Sequence, residues 1–349
     1  MRFQGVHIRG IGVFLPDPVE VKWAVAEGLY PAEDAEAHGW EQVRVAGEIP
    51  APEMALFAAR EALKDSGDPP EDVDLLFYAG AWHQGPATWP PQYHLQRELI
   101  GGRAFATRID QGCNGMFGAL ELAAGQLIAD PDRHIALLVA TDNFGTPLID
   151  RWRSGPGFIL GDAASALVLG REPGFAELLS VCSRAMPELD ALHRGVEPLF
   201  PPGATVGTKV SFRDNLTHFA AQLQKEGTDL SIFLETPKVL GEVVDQSLAE
   251  AGISREGVTR VAFMNDSREV VEQRLAPLGM PLELSTWEYG RTIGHTGASD
   301  PILSLAHLLD SAQVAAGDHV LMIGVGPGVT IYSAVVRIRE LPHRRTGGL

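Results

Sequence analysis

Short apolar runs separated by helix-spaced patterns dominate the chain. The runs Leu75–Ala79, Ile135–Ala140, Ala166–Leu169, Val261–Phe263 and Val320–Ile323 are rich in Val, Ile, Leu and Ala and lack the alternation of a half-exposed strand. They predict strands covered on both faces, and the helical patterns between them predict an α/β fold. No low-complexity linker separates them.

An internal repeat adds more than any single element. The stretch ALKDSGDPPEDVDLLFYAG from Ala62 matches SLAEAGISREGVTRVAFMN from Ser247 without a gap. Each reads as a helix ending at Gly, a polar loop and an apolar strand. Leu63 pairs with Leu248 (248 − 63 = 185), and the strand pair RHIALLVAT and DHVLMIGVG repeats the offset at His134 and His319 (319 − 134 = 185). One shared offset in two separated segments predicts duplicated halves, residues 1–172 and 173–349. Residues 186 to about 235, with PLFPPG and an amphipathic stretch around Phe219–Gln224, read as an insertion in the second half.

Composition narrows the function classes. With 349 residues and 45% hydrophobic content, the chain can bury a large core. A formal net charge of -17 repels phosphate backbones and anionic lipid, so neither nucleic acid nor a membrane surface is an expected partner. The opening MRFQGVHIRGIG carries no apolar h-region and runs such as HIALLVA are too short to span a bilayer, which predicts a cytoplasmic protein. Two distant cysteines, Cys113 and Cys182, give neither a metal-ligand spacing nor a disulfide framework, and no metal is expected.

Of the two, Cys113 has the setting of a nucleophile. In DQGCNGMFGALELAAGQLIA, apolar residues at Met116, Phe117, Leu120, Ala124 and Leu127 follow it with helical spacing, so the thiol sits at or just before a helix N-terminus. Free N–H groups and the positive dipole end favour the thiolate there. Gly112 and Gly115 permit a tight turn and close approach of substrate. Cys182, in SVCSRA, has no such setting and reads as structural.

GCNGMFGALELAAGQL resembles the active-site helix of ketoacyl synthase III enzymes of the thiolase superfamily. IRGIGVFLP resembles their first strand and FILGDAASALVLG the strand closing the first half. GHTGASDP resembles their Gly-Asn-Thr motif, and GVGPGVTIYSAVVRI their C-terminal glycine loop and last strand. The resemblance implies a thiolase fold with duplicated five-layered αβαβα architecture, and a homodimer.

The chain departs from the condensing enzymes at two positions. Their catalytic set is Cys-His-Asn, with His in a Pro-His-Gln-Ala-Asn motif. Here that motif reads FMNDSR, with Met264 at the His position, while GHTG puts His295 at the Asn position and Asp300 follows five residues later. The two donors of a condensing enzyme stabilise an enolate, and methionine cannot donate. His295 oriented by Asp300 instead suits deprotonation of Cys113 and later of an acceptor; the alternative for Asp300 is a helix cap. The arrangement resembles an acyltransferase subgroup of antibiotic pathways that serves sugar or aminocyclitol acceptors or moves acyl groups between carrier proteins.

The resemblance extends to the remaining parts. Gly328 matches the glycine whose N–H joins that of Cys113 in the family's oxyanion hole. Trp82, His83, Trp89 and Tyr93, in AWHQGPATWPPQYH, match the loop that shapes the acyl pocket, with packing across a dimer as the other reading. Met116 and Phe117 stand beside the nucleophile as further substrate-binding candidates, and Asn265 and Asp266 either face the acceptor or end a strand. Arg151 and Arg153 stand where the family contacts nucleotide or carrier, and a charged surface loop is the alternative. The tail RIRELPHRRTGG is basic. No permanently bound cofactor is implied; coenzyme A or a phosphopantetheine thioester on an acyl carrier protein would be the donor. Thiolase and hydroxymethylglutaryl-type chemistries lack their second Cys or Glu here. Two rivals remain: decarboxylative condensation with a relocated His, and a non-catalytic synthase partner subunit, against which Cys113 counts.

Overall fold

The computed structural model describes residues 1–226 and 232–342. Its strands are β1 (His7–Phe14), β2 (Pro18–Glu20), β3 (Gln42–Arg44), β4 (Leu75–Ala79), β5 (Phe105–Ile109), β6 (Ile135–Asp142), β7 (Ala163–Gly170), β8 (Ala176–Ala185), β9 (Arg260–Phe263), β10 (His319–Gly326) and β11 (Thr330–Ile338). β2 and β3 form a small ribbon, and the other nine make one sheet in the order β5-β4-β6-β7-β1-β8-β11-β10-β9. Every residue of β4, β6 and β7 is buried, which is why these segments carry no polar alternation.

The sheet is two copies of one pattern. In the first, β4 lies parallel to β6, then β7 and β1 follow antiparallel. In the second, β9 lies parallel to β10, then β11 and β8 follow antiparallel. The two runs are joined where only His7 and Ile8 of β1 pair with Glu177 and Ala176 of β8.

Alternate side chains of each strand pack to opposite sides. Leu75, Phe77 and Ala79 of β4, with Val320 and Met322 of β10, face a central layer formed by the helices Gly115–Ala129 and Asp300–Asp310. Leu76 and Tyr78 face the outer helix Ala51–Ser66, while Leu321 and Ile323 face the outer helix Ile232–Ala251. The layers therefore run helix, sheet, helices, sheet, helix, the thiolase-like α/β arrangement. Gly115 and Asp300, the starts of the two central helices, are again 185 residues apart (300 − 115). The nucleophile segment and the His–Asp segment thus occupy equivalent places in the two copies and meet at the centre.

Between β8 and the helix Ile232–Ala251 the chain forms short turns and the helix Phe212–Glu226, which buries Phe219 and Leu223 against the outer core of the second copy. Of the basic tail, residues 343–349 lie outside the described residues. Among the described residues no helix is long and apolar enough to cross a membrane, and no cluster of three or more His, Cys, Asp or Glu could hold a metal ion.

Candidate active site

Cys113 lies in a single helical turn, Gly112–Asn114, directly before the central helix Gly115–Ala129. Gly112 holds the left-handed region at φ +54, and a Cβ there would stand 2.7 Å from the Pro327 ring. The turn between β10 and β11, with Gly328 at φ +87, therefore presses against the nucleophile turn. Asn114 fastens the two, donating to the carbonyl and hydroxyl of Thr330 at 2.9 and 2.8 Å, and Gln111 donates to the Tyr332 hydroxyl at 2.8 Å.

His295 enters from the other copy. Its backbone donates to the Ile159 carbonyl and accepts from Gly161 N–H, which fixes its position beside the loop before β7. Its Nε2 stands 3.1 Å from Cys113 Sγ and its Nδ1 2.6 Å from Asp300 Oδ2. Burial of His295 would lower its pKa, but the charges at Cys113 and Asp300 outweigh it and raise the pKa well above the ordinary range. This is the geometry of a nucleophile, a base and an orienting carboxylate.

Asp300 has the helix-start position of a cap, but its side chain turns to Thr296, Asn265 and His295. Fully buried, it accepts five hydrogen bonds: Oδ1 from Thr296 N–H at 2.8 Å, Thr296 Oγ1 at 2.7 Å and Asn265 Nδ2 at 3.1 Å, Oδ2 from Asn265 N–H at 2.9 Å and His295 Nδ1. So saturated a carboxylate has one way to stand, and it dictates which imidazole nitrogen carries the proton. Asn265 also donates to the Gly294 carbonyl at 2.7 Å. Sequence reading offered Asn265 as an acceptor contact; its side chain is spent on Asp300 and Gly294 and lies outside the cavity lining. Its support of Asp300 and that of Thr296 had no local signal, since Asn265 and Asp300 are brought together only by β9 and the central helix.

A cavity of about 400 Å³ opens onto Cys113 and His295. Its wall is mainly apolar, with the Phe158 ring tilted against the His295 ring at a centroid distance of 4.9 Å. Much of it comes from the inserted segment, through Leu189, Leu192, His193, Phe212 and Leu216. Met264 lines it too, with its sulfur accepting from Arg274 at 3.2 Å, and Asp266 pairs with Arg274 at 3.5 Å. Trp82 is in the wall, its loop pinned by Asp142, which accepts from the N–H groups of Ala81 and Trp82. Burial pushes the Asp142 carboxyl up to about 7 against these bonds.

Other candidates stand elsewhere. Met116 and Phe117 are fully buried in the central layer, with Phe117 stacked on Tyr332, because their helix is surrounded by sheet on both sides. Arg151 is a structural ion pair to Asp162, with nitrogens 2.9 and 3.1 Å from its oxygens. Arg153 is exposed and bonded to the Gly28 carbonyl. His83 contacts the Pro86 carbonyl, Trp89 packs on His94, and Tyr93 is 54% exposed, so these three lie on the outer side of their loop. Cys182 is buried, and its thiol is pushed up to about 11 by that burial.

Fold and site together define a thiolase-fold protein in which Cys113 and His295 meet from opposite copies. Residues 108–187 match the family model for 3-oxoacyl-[acyl-carrier-protein] synthase III, and residues 248–338 the model for its C-terminal part. The β-ketoacyl-[acyl-carrier-protein] synthase III of Geobacillus kaustophilus is 24% identical over 332 residues, covering 93% of this chain and 96% of that one. Among solved structures, the acyltransferase ChlB3 is 51% identical with a TM-score of 0.92, covering 97% of this chain and 98% of its own. The 3-oxoacyl-[acyl-carrier-protein] synthase III of Aquifex aeolicus shares the fold at a TM-score of 0.77 and 23% identity, covering 95% and 99%. The chain belongs to the ketoacyl synthase III family of the thiolase superfamily.

Proposed function

We propose that the chain is an acyltransferase that moves an intact acyl group from a coenzyme A or carrier-protein thioester, through a Cys113 thioester, to a hydroxyl, amine or carrier thiol. The Cys113–His295–Asp300 relay carries this reading, with contacts of 3.1 and 2.6 Å. In the loading step His295 Nε2 takes the thiol proton, the sulfur attacks the thioester carbonyl, and the departing thiolate of the donor takes that proton back. In the transfer step the acceptor gives its proton to the same nitrogen while its oxygen, nitrogen or sulfur attacks, and Cys113 leaves as the thiolate. The N–H groups of Cys113 and Gly328 are the assigned donors to the tetrahedral oxygen in both steps.

Two further observations favour transfer over condensation. Met264 stands at the position that resembles the condensing enzymes' histidine, and its sulfur accepts a hydrogen bond where an enolate would need a donor. The 51% identical structure is named as an acyltransferase. A place in antibiotic or polyketide biosynthesis, with a sugar or aminocyclitol acceptor, belongs to the same reading.

Incubation with a panel of acyl-CoA thioesters, including malonyl-CoA labelled in its free carboxyl, tests it by intact mass. The expected result is an adduct of full acyl mass on the wild type, none on Cys113→Ala, and any malonyl label retained in adduct and product. Release of labelled carbon dioxide together with a new carbon-carbon bond would establish condensation instead.

A further inference from the structure

Four side chains of the cavity lining, His295, Phe158, Phe212 and His193, make successive ring contacts. Ring centroids are 4.9 Å apart from His295 to Phe158, 5.8 Å from Phe158 to Phe212, and 6.1 Å from Phe212 to His193. The series starts at the base and ends on an imidazole that neither transfer step uses. His193 sits on the short helix Ala191–Arg194 of the inserted segment. Its carbonyl is held by Asn215 Nδ2 at 2.6 Å, yet its ring has no hydrogen-bond partner among the described residues, and Nδ1 is wholly buried without one. Burial drives its pKa down to about 4, so at neutral pH the ring is uncharged, with one N–H and one lone pair.

Other polar side chains of the wall are already engaged. Asp266 accepts from Ser267 N–H and pairs with Arg274, and the Thr236 hydroxyl is directed at Met186 sulfur. Among the described residues His193 and the Trp82 indole N–H are the polar groups of the lining without a hydrogen-bond partner, and of the two only the imidazole offers a lone pair as well as a donor. Nδ1 has no accessible surface, so Nε2 is the ring nitrogen that a ligand in the cavity can meet; a largely buried polar side chain with no partner calls for an explanation, and a bound ligand is one.

We propose that His193 determines specificity by hydrogen-bonding a hydroxyl or carbonyl carried by an otherwise apolar acyl group that lies along the ring series from Cys113. The inference rests on the acyl-transfer reading and specifies the acyl group it transfers. An acyl group without the polar substituent leaves the imidazole unpaired, and discrimination follows from that loss rather than from size. The expected preference is on the order of 10- to 100-fold, the range for leaving one buried polar group unpaired.

The test measures Cys113 acylation rates by intact mass with the CoA thioesters of benzoate, 3-hydroxybenzoate, 4-hydroxybenzoate, hexanoate and 6-hydroxyhexanoate, with acetyl-CoA as control. In the wild type at least one hydroxylated group should outpace its parent by the stated factor. His193→Phe should bring the ratio of hydroxylated to parent rate within about threefold, and His193→Gln, which keeps a donor and an acceptor, should restore part of the preference. Absence of a preference in the wild type, its survival in His193→Phe, or its appearance only in the transfer step overturns the proposal. An adduct with acetyl-CoA but with none of the other five also overturns it, whereas no adduct with any of the six acyl groups, presented on CoA and on an acyl carrier protein, overturns the acyl-transfer reading itself.

Discussion

Asp300→Asn separates an orienting carboxylate from a helix cap. The amide offers one acceptor oxygen where Asp300 accepts five bonds from three residues: Thr296 N–H and hydroxyl, Asn265 N–H and side-chain amide, and His295. With the oxygen at the Oδ1 place, the new amide nitrogen faces Asn265 N–H, which is left unpaired, and His295. The imidazole then takes the tautomer with its lone pair on Nδ1, so Nε2 carries a proton towards Cys113 and cannot accept one. The opposite orientation keeps the base but leaves Thr296 N–H and the Asn265 amide unpaired. Each buried unpaired donor costs about 1–3 kcal/mol, so the orientation that disables the base is the more stable one. The variant should lose about 1–3 kcal/mol in denaturant unfolding at neutral pH, and turnover should fall by on the order of 10⁴, as for the wrong tautomer in a Ser-His-Asp triad. Its pH dependence changes as well. A His295 pKa raised in the fold contributes stability that is fully present below the unfolded value of about 6.5 and is lost as pH rises through the folded one. Without the Asp300 charge the folded value falls, so this stabilisation should disappear at lower pH than in the wild type. Turnover within tenfold of wild type and unchanged stability would refute the orienting role and leave Asp300 a cap.

Two further perturbations test the supports around this relay. Asn265→Ala removes bonds to the Gly294 carbonyl and Asp300, and should lower turnover about tenfold with donor KM unchanged and stability reduced by ~1–2 kcal/mol; a KM effect alone would put Asn265 in substrate binding. Gly112→Ala forces a side chain into φ +54 with its Cβ 2.7 Å from Pro327, which should cost about 1–3 kcal/mol and slow acylation; a melt indistinguishable from wild type would show that the turn relaxes freely.

What could be read from sequence follows from how local each signal was. Helical spacing after Cys113 was enough to place the thiol before a helix, and the uninterrupted apolar runs matched β4, β6, β7, β9 and β10 to within a few residues at their ends. Met116 and Phe117 were drawn to the pocket by adjacency to Cys113, yet they lie on the part of Gly115–Ala129 that packs into the central layer, while Leu122 and Ile128 of the same helix are exposed. The Arg151–Asp162 pair and the Asn265–Asp300 bonds link residues that only the loop before β7 and the meeting of β9 with a central helix bring together. No periodicity encodes such contacts. Residues 186 to about 235 read as an insertion with an amphipathic stretch, and their place in the cavity wall depends on where the segment folds back.

In the proposed cycle the timing of proton transfer is built into the charges around His295. Before loading, the imidazole is held between Cys113 and Asp300; burial lowers its pKa, and against this both Asp300 and the charge at Cys113 raise it. Forming the thioester removes that charge, while the Asp300 contact at 2.6 Å is untouched. The pKa of His295 must then fall, so the ring holds a proton less tightly in the acyl-enzyme than in the free enzyme. Neutral imidazole is what the acceptor needs, because its own proton has to leave as it attacks. When the tetrahedral intermediate collapses, the Cys113 thiolate returns and the proton on His295 is stabilised again beside it. A second imidazole at Met264 would add a further proton acceptor near the same carbonyl without a proton to take, whereas the apolar thioether leaves one base and one route.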